Sequence, residues 1–310
     1  MQSIIFNSMK KIITILASTL LLCNCKNATE PQQEIEPQKK ESIGSRQTIY
    51  TKVIPLKDVN SVVITMPTAN EITATIKTSG SLFSALTLNN PLNAESYTTS
   101  FRKTINLGIY GTDLAYIGAY DRGDLLTDHL KVINSLATDL DLSHFIDRNR
   151  IEKIKEDGML TDSIFVMTGD VFTKMDKYLR ENDRHSTSLL LMVGSWLEAI
   201  HIATTVTYNS EFDNETLNTK IGEQKLILEK FILLLNNFKT EPLFGQLIDD
   251  LTQLRLLYEG VDLDEELLIQ AMTDTTGKYI NRKSAEINRT QLAQITIKLN
   301  KIRHSLIEPA

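Results

Sequence analysis

The sequence predicts an all-α protein: a multi-helix antiparallel bundle around a central apolar helix, with a small β-hairpin before the last helix. Three observations carry this prediction. Beyond residue 120, apolar residues recur at alternating steps of three and four, the spacing of one helix face. Residues 186–206 are apolar nearly all round, as befits a helix touched from several sides. Both cysteines, Cys23 and Cys25, precede residue 26, so no disulfide is available to staple a loop-rich fold.

At the N-terminal end, Met9-Lys10-Lys11 followed by the apolar residues 12–22 read as the basic and hydrophobic regions of a signal peptide. The apolar run is too short to span a bilayer. Leu22-Cys23-Asn24-Cys25 resembles a lipobox, in which an apolar residue three positions before a cysteine marks it for acylation. Residues 1–24 are therefore expected to be a lipoprotein signal peptide. Cys25 is the expected lipid-bearing, palmitoylated residue, with Cys23 as the alternative; Asn24 stands where Gly, Ala or Ser is usual. Losing Lys10 and Lys11 with that segment takes the net charge from −6 to about −8.

Residues 25–47, rich in Glu, Gln, Lys and Pro, bury too little apolar surface to fold and read as a flexible tether. Residues 48–310 form one expected helical domain. It opens on β-branched alternation in 48–54 and 61–66, broken by Pro55, which predicts a short extended pair. Thr68-Ala69-Asn70-Glu71 then has the spacing of a capping box, and Gly80 stops that helix.

Further helices are expected near 96–121, 124–141, 143–157, 161–181, 185–207, 213–238, 242–260 and 290–307, after the first at 68–79. Ser143, Thr161, Asp213 and Thr290 are the N-caps this reading chooses. Stripes such as Leu247, Leu251, Leu254, Tyr258 and Leu292, Ile295, Leu299, Ile302, Leu306 are the seams along which the helices pack. Residues 278–281 and 285–288 flank Arg282-Lys283-Ser284 and form the expected hairpin. In residues 101–120, Gly108, Gly111 and Gly118 with Ala115 and Ala119 lower helix propensity, so a neighbour must approach closely. A second helix backbone is the expected neighbour, a ligand the alternative.

Gly194-Ser195-Trp196-Leu197-Glu198, Ile221-Gly222-Glu223-Gln224-Lys225 and residues 99–101, 106–114 and 179–184 resemble blocks of an uncharacterised family of helical lipoproteins of Bacteroidota. The likeness spans roughly residues 62–307. It implies an envelope location and a helical fold, and transfers no catalytic residue, because that family has no assigned activity.

Chemistry has few candidates. Glu198 and His201 form Glu-x-x-His on the central helix, and with Ser195 and Thr205 they make one polar stripe. A carboxylate and an imidazole three residues apart can share a metal in carboxylate-bridged bundles, but that use needs a second such motif, and the sequence has none. No metal and no cofactor are assigned, and the stripe is expected to be satisfied internally or by solvent. A buried Glu198 would need a partner, with Arg184, Arg102 or Tyr110 as candidates. Asp113 and Tyr110 lie on the glycine-rich helix, where small neighbours can leave a groove. Glu198, His201, Asp113 and Tyr110 are thus the candidate ligand-facing residues, and no catalytic residue is assigned. His129, His144, His185 and His304 are read as capping carbonyls or facing water.

Basic residues are interleaved with acids and no aromatic-basic cluster recurs, which excludes nucleic acid as a partner. The expectation is a lipid-anchored envelope protein, more a non-catalytic binding or scaffold module than an enzyme, partnered by the membrane and by an envelope protein. The alternatives are a metal-dependent or acid/base enzyme on the central stripe, and an accessory subunit of an outer-membrane complex. Lys26 follows the lipidated cysteine where an inner-membrane retention signal would place Asp, which favours the outer membrane. Asn27-Ala28-Thr29-Glu30 lacks the acidic run of a surface-export signal, which favours the periplasmic face.

Overall fold

A computed structural model describes residues 69–147, 149, 160–210, 213–264, 266 and 284–308. The expected signal peptide, Cys23 and Cys25, the expected tether, the expected extended pair at 48–66 and most of the helix expected at 143–157 lie outside the described residues.

The fold is all-α. The helices are α1 (Ala69–Thr78), α2 (Ser100–Ala119), α3 (Gly123–Asp139), α4 (Leu160–Glu181), α5 (His185–Tyr208), α6 (Glu215–Leu235), α7 (Phe244–Tyr258) and α8 (Arg289–Ile307). Short 3-10 turns at Ala85–Thr87, Pro91–Ser96, Ser143–Phe145 and Asn236–Phe238 join them. Apart from 143–157, of which the described start is the 3-10 turn Ser143–Phe145, the expected spans are met to within a few residues, because each seam begins and ends with its helix. The caps differ. Asn214 rather than Asp213 caps α6 by accepting from the Leu217 amide, and Asn288 rather than Thr290 forms a reciprocal capping box with Gln291 at the start of α8. Thr161 already lies inside α4.

Three helix-to-helix corners share one device. Asp121, Asp141 and Asp183 follow α2, α3 and α4 with left-handed φ of 58°, 59° and 57°. In each, the next amide reaches back to a carbonyl of the last turn: Arg122 to Ile117 at 3.0 Å, Leu142 to Ala137 at 2.7 Å and Arg184 to Leu179 at 2.8 Å. This is the Schellman closure with aspartate in the place that glycine usually takes, a residue that tolerates the conformation better than most. Gly80, at φ 80°, plays the usual part after α1.

Helix α5 is the axis of the molecule. By length and composition it would pass for a membrane span, with a mean hydropathy of 1.5, yet 83% of that window is buried by other helices. Its closest companion is α2. A methyl group on Gly194 would collide with the Ile105 carbonyl, and one on Gly108 with the Leu191 carbonyl, so the two backbones are in contact. Thr112 donates its hydroxyl to the Ser195 carbonyl at 3.0 Å, and Ser195 to that of Gly108 at 3.2 Å. Gly111 faces the Phe172 ring, and Gly118 faces Ile164 and Phe165. Helix packing, not a ligand, accounts for every glycine of α2.

That pair separates two apolar cores. One holds Leu107, Tyr110 and Leu114 of α2 against α3 and α4; the other holds most of α5 against α1, α6, α7 and α8. Ala285–Glu286 (β2) pairs antiparallel with Asp262–Leu263 (β1), and residues 278–281, the first arm of the expected hairpin, lie outside the described residues. What fixes β2 is α6: the Ser284 hydroxyl donates to the buried Glu223 carboxylate, and Ala285 packs on Gly222.

Candidate functional site

Between Gly80 and Ser100 the chain crosses the bundle as a strap, with two short 3-10 turns and little other regular structure. A strap lying against a core cannot satisfy its own amides and carbonyls, so side chains must do it. Tyr120 donates to the Ser81 carbonyl at 2.6 Å, and the Tyr116 oxygen accepts from the Ser84 amide at 3.1 Å. Tyr110 donates to the Asn90 carbonyl at 2.7 Å. The Asn89 amide gives its hydrogen to Asp113 Oδ2 at 3.0 Å, and its side chain reaches the Tyr97 oxygen at 3.1 Å. Tyr97 in turn donates to the Ile307 carbonyl at the end of α8, at 3.0 Å.

The centre of the strap is the Thr87 carbonyl, which two side chains share. Arg303 of α8 donates to it through Nη2 at 2.9 Å, and the His201 ring meets it through Nε2 at 3.2 Å. The same guanidinium grips Glu198 with both arms, Nε to Oε2 at 2.6 Å and Nη2 to Oε1 at 2.7 Å. Glu198 is wholly buried and Arg303 is 8% exposed. Burial works against the Arg303 charge, and the adjacent Glu198 carboxylate outweighs it, so the guanidinium holds its proton more tightly than usual. For His201 burial wins and the ring is pushed towards neutrality. Both ring nitrogens face acceptors, Nε2 the Thr87 carbonyl and Nδ1 the Asn300 side-chain oxygen at 2.8 Å, and the single N–H of a neutral ring donates to one of the two.

Asp113 completes the group. It is fully buried beside Glu198, and Oδ1 has no donor among the described residues. Burial first, and then the neighbouring Glu198 charge, raises its pKa far above the ordinary carboxylate value. A protonated Asp113 resolves all of this at once: Oδ2 accepts from Asn89, the acid proton bonds to Glu198, and one carboxylate is left to balance one guanidinium.

The four candidate residues are thus gathered in one place, around the strap backbone. Of the partners expected for Glu198, none is used. Arg184 caps Leu140, Arg102 caps the Ser305, Leu306 and Glu308 carbonyls at the end of α8, and Tyr110 holds Asn90. The true partner, Arg303, is a charge beside the α8 seam position Ile302, four residues beyond Leu299. Among the described residues no group of three or more His, Asp or Glu is placed to hold a metal ion. The other histidines stand apart. His129 meets the Leu125 carbonyl at 2.9 Å, His144 stacks on Phe145 and Tyr178, and His185 and His304 lie 3.6 and 3.4 Å from Asp183 and Glu308. A shallow apolar depression lined by Ile117, Leu126 and Ile164 borders a different part of α2 and includes none of the four.

No protein-family model, curated protein or solved structure matches the chain.

Proposed function

We propose that this chain is a lipid-anchored protein of the bacterial envelope whose helical domain serves as a non-catalytic binding or scaffold module. One observation supports the non-catalytic half most directly. The side chains best suited to chemistry are spent on one another and on the strap: Glu198 on Arg303, His201 on Thr87 and Asn300, Asp113 on Asn89, Tyr110 on Asn90. A general acid or base needs a free face towards a substrate, and a metal ligand needs a free lone pair. The anchored half rests on the basic and apolar run before Cys25 and on the lipobox-like Leu22-Cys23-Asn24-Cys25. The family likeness supports the envelope location, Lys26 the outer membrane, and Asn27-Ala28-Thr29-Glu30 the periplasmic face.

Fractionation tests the anchor. Cys25→Ala is expected to move the chain from the membrane to the soluble fraction of its native host. Retention in the membrane with Cys23 also replaced by Ala sinks the reading.

A further inference from the structure

The strap has an outer side as well. Leu82, Leu86 and Leu92 are 86%, 97% and 75% exposed, three of the most exposed large apolar side chains among the described residues, all within eleven positions. Their exposure is enforced. The strap backbone is tied down at Ser81, Ser84, Thr87, Asn89 and Asn90 by the buried bonds described above, so the leucines cannot fold inwards. From residue 78 to residue 94 there is no charged side chain, in a chain that otherwise carries 23% charged residues. Isolated surface leucines are ordinary; three on the charge-free part of one tied-down strap mark a place where water is displaced.

What occupies it follows from which residues face outwards. Protein-binding hot spots favour Trp, Tyr and Arg over Leu, with charged or polar groups to set register. Here the aromatic residues are turned in: Tyr97 is buried, and Phe83 stacks on Tyr116 at 5.0 Å. From Leu82 to Leu92 the exposed residues are Leu82, Ala85, Leu86, Asn90 and Leu92, a set with hydrocarbon to insert and no charge to desolvate, and the first charge beyond it is the exposed Glu95. We infer that the strap is a bilayer-contacting surface, in which Leu82, Leu86 and Leu92 enter the lipid headgroup boundary and fix the orientation of the tethered domain. The inference rests on the lipid-anchored reading for the nearness of a membrane. A tether covering residues 25–47 has a mean span of about 25 Å, which keeps the domain at high effective concentration over the bilayer, so a contact too weak to hold a free protein suffices. Among the described residues α1 comes first in the chain, and it leads directly into the strap.

The test imposes the anchor chemically. The full chain carrying Cys23→Ala is coupled through Cys25 to a maleimide lipid in phosphatidylcholine vesicles, with Leu86 replaced by a benzophenone-bearing amino acid. The same replacement at Ile297, 56% exposed on α8, is the reference. Lipid adducts at position 86 are expected several-fold above those at 297, and are expected to disappear with Leu82→Ser and Leu92→Ser. Equal lipid labelling at the two positions, labelling unmoved by the serines, or adducts to a second copy of the chain in place of lipid overturns the inference. Native lipidation plays no part in this experiment, so its outcome is separate from that of the fractionation.

Discussion

At the scale of single residues, the centre of this protein is an arginine beside an apolar seam. Arg303 neutralises Glu198 and at the same time supplies a donor to Thr87, so its removal strands both a buried carboxylate and a buried carbonyl. Glu198→Leu and Arg303→Met are each expected to destabilise by about 3–5 kcal/mol in denaturant unfolding, because either leaves one buried charge alone. The double substitution removes both charges, and should cost less than the sum of the two. Additive losses would mean that the ion pair is not the coupled unit described here. The sequence displayed Glu198 and His201 as a polar stripe, and no local rule pairs either with a residue about a hundred positions away. Arg303 is a charge beside the seam position Ile302, and nothing local to α8 distinguishes it, because its meaning lies in another helix.

Among the elements, the helices were legible and their terminations less so. The three-four rhythm is a local property and marks the body of a helix. Asn214 in place of Asp213, and Asn288 in place of Thr290, were decided by which side chain the entering chain turned towards a free amide. The aspartates at the three corners were equally hard to foresee, since their left-handed backbone follows from where the next helix must start. The glycines of α2 were read correctly as a sign of close approach. No local pattern marked the reciprocal glycine: Gly194 sits in the middle of a strongly apolar run and touches the Ile105 backbone. Gly194→Ala is expected to destabilise the fold by about 1–3 kcal/mol, because two backbones would have to separate. Gly245→Ala in α7, where a methyl group meets nothing nearer than the Lys239 carbonyl at 3.9 Å, is the control and should be neutral or slightly stabilising. Equal melting temperatures for the two variants would contradict the α2–α5 contact.

For the molecule as a whole, the buried cluster makes stability depend on pH in a defined direction. The folded chain holds the Asp113 proton to higher pH than the unfolded chain does. Its contribution is therefore complete below the ordinary carboxylate value of 3.8 and is lost as pH rises through the folded value. His201 and His129, both pushed down by burial, act in the opposite sense: their contribution is present above 6.5 and is lost as pH falls through their folded values. Asp113→Asn imitates the protonated acid, accepting from Asn89 and donating to Glu198 without a titration of its own. Relative to wild type it should gain stability with rising pH, by at most about 1.4 kcal/mol per pH unit, and then level off. A wild-type-to-variant difference that stays constant between about pH 4 and about pH 9 would show that Asp113 is ionised in the folded state.

The sequence alone determined the helical class, the positions of the seams, the apolar axis at α5 and the tight approach along α2, because each of these is written in residues within a few positions of one another. Only the tertiary structure decided that the conspicuous polar residues meet at all, that they meet on an irregular strap, and that Arg303 balances them. The physical reason is that a buried charge or carbonyl takes its partner from whatever element lies across the core. Chain separation says nothing about who that is: Glu198 and Arg303 are one contact apart in space and several helices apart in sequence.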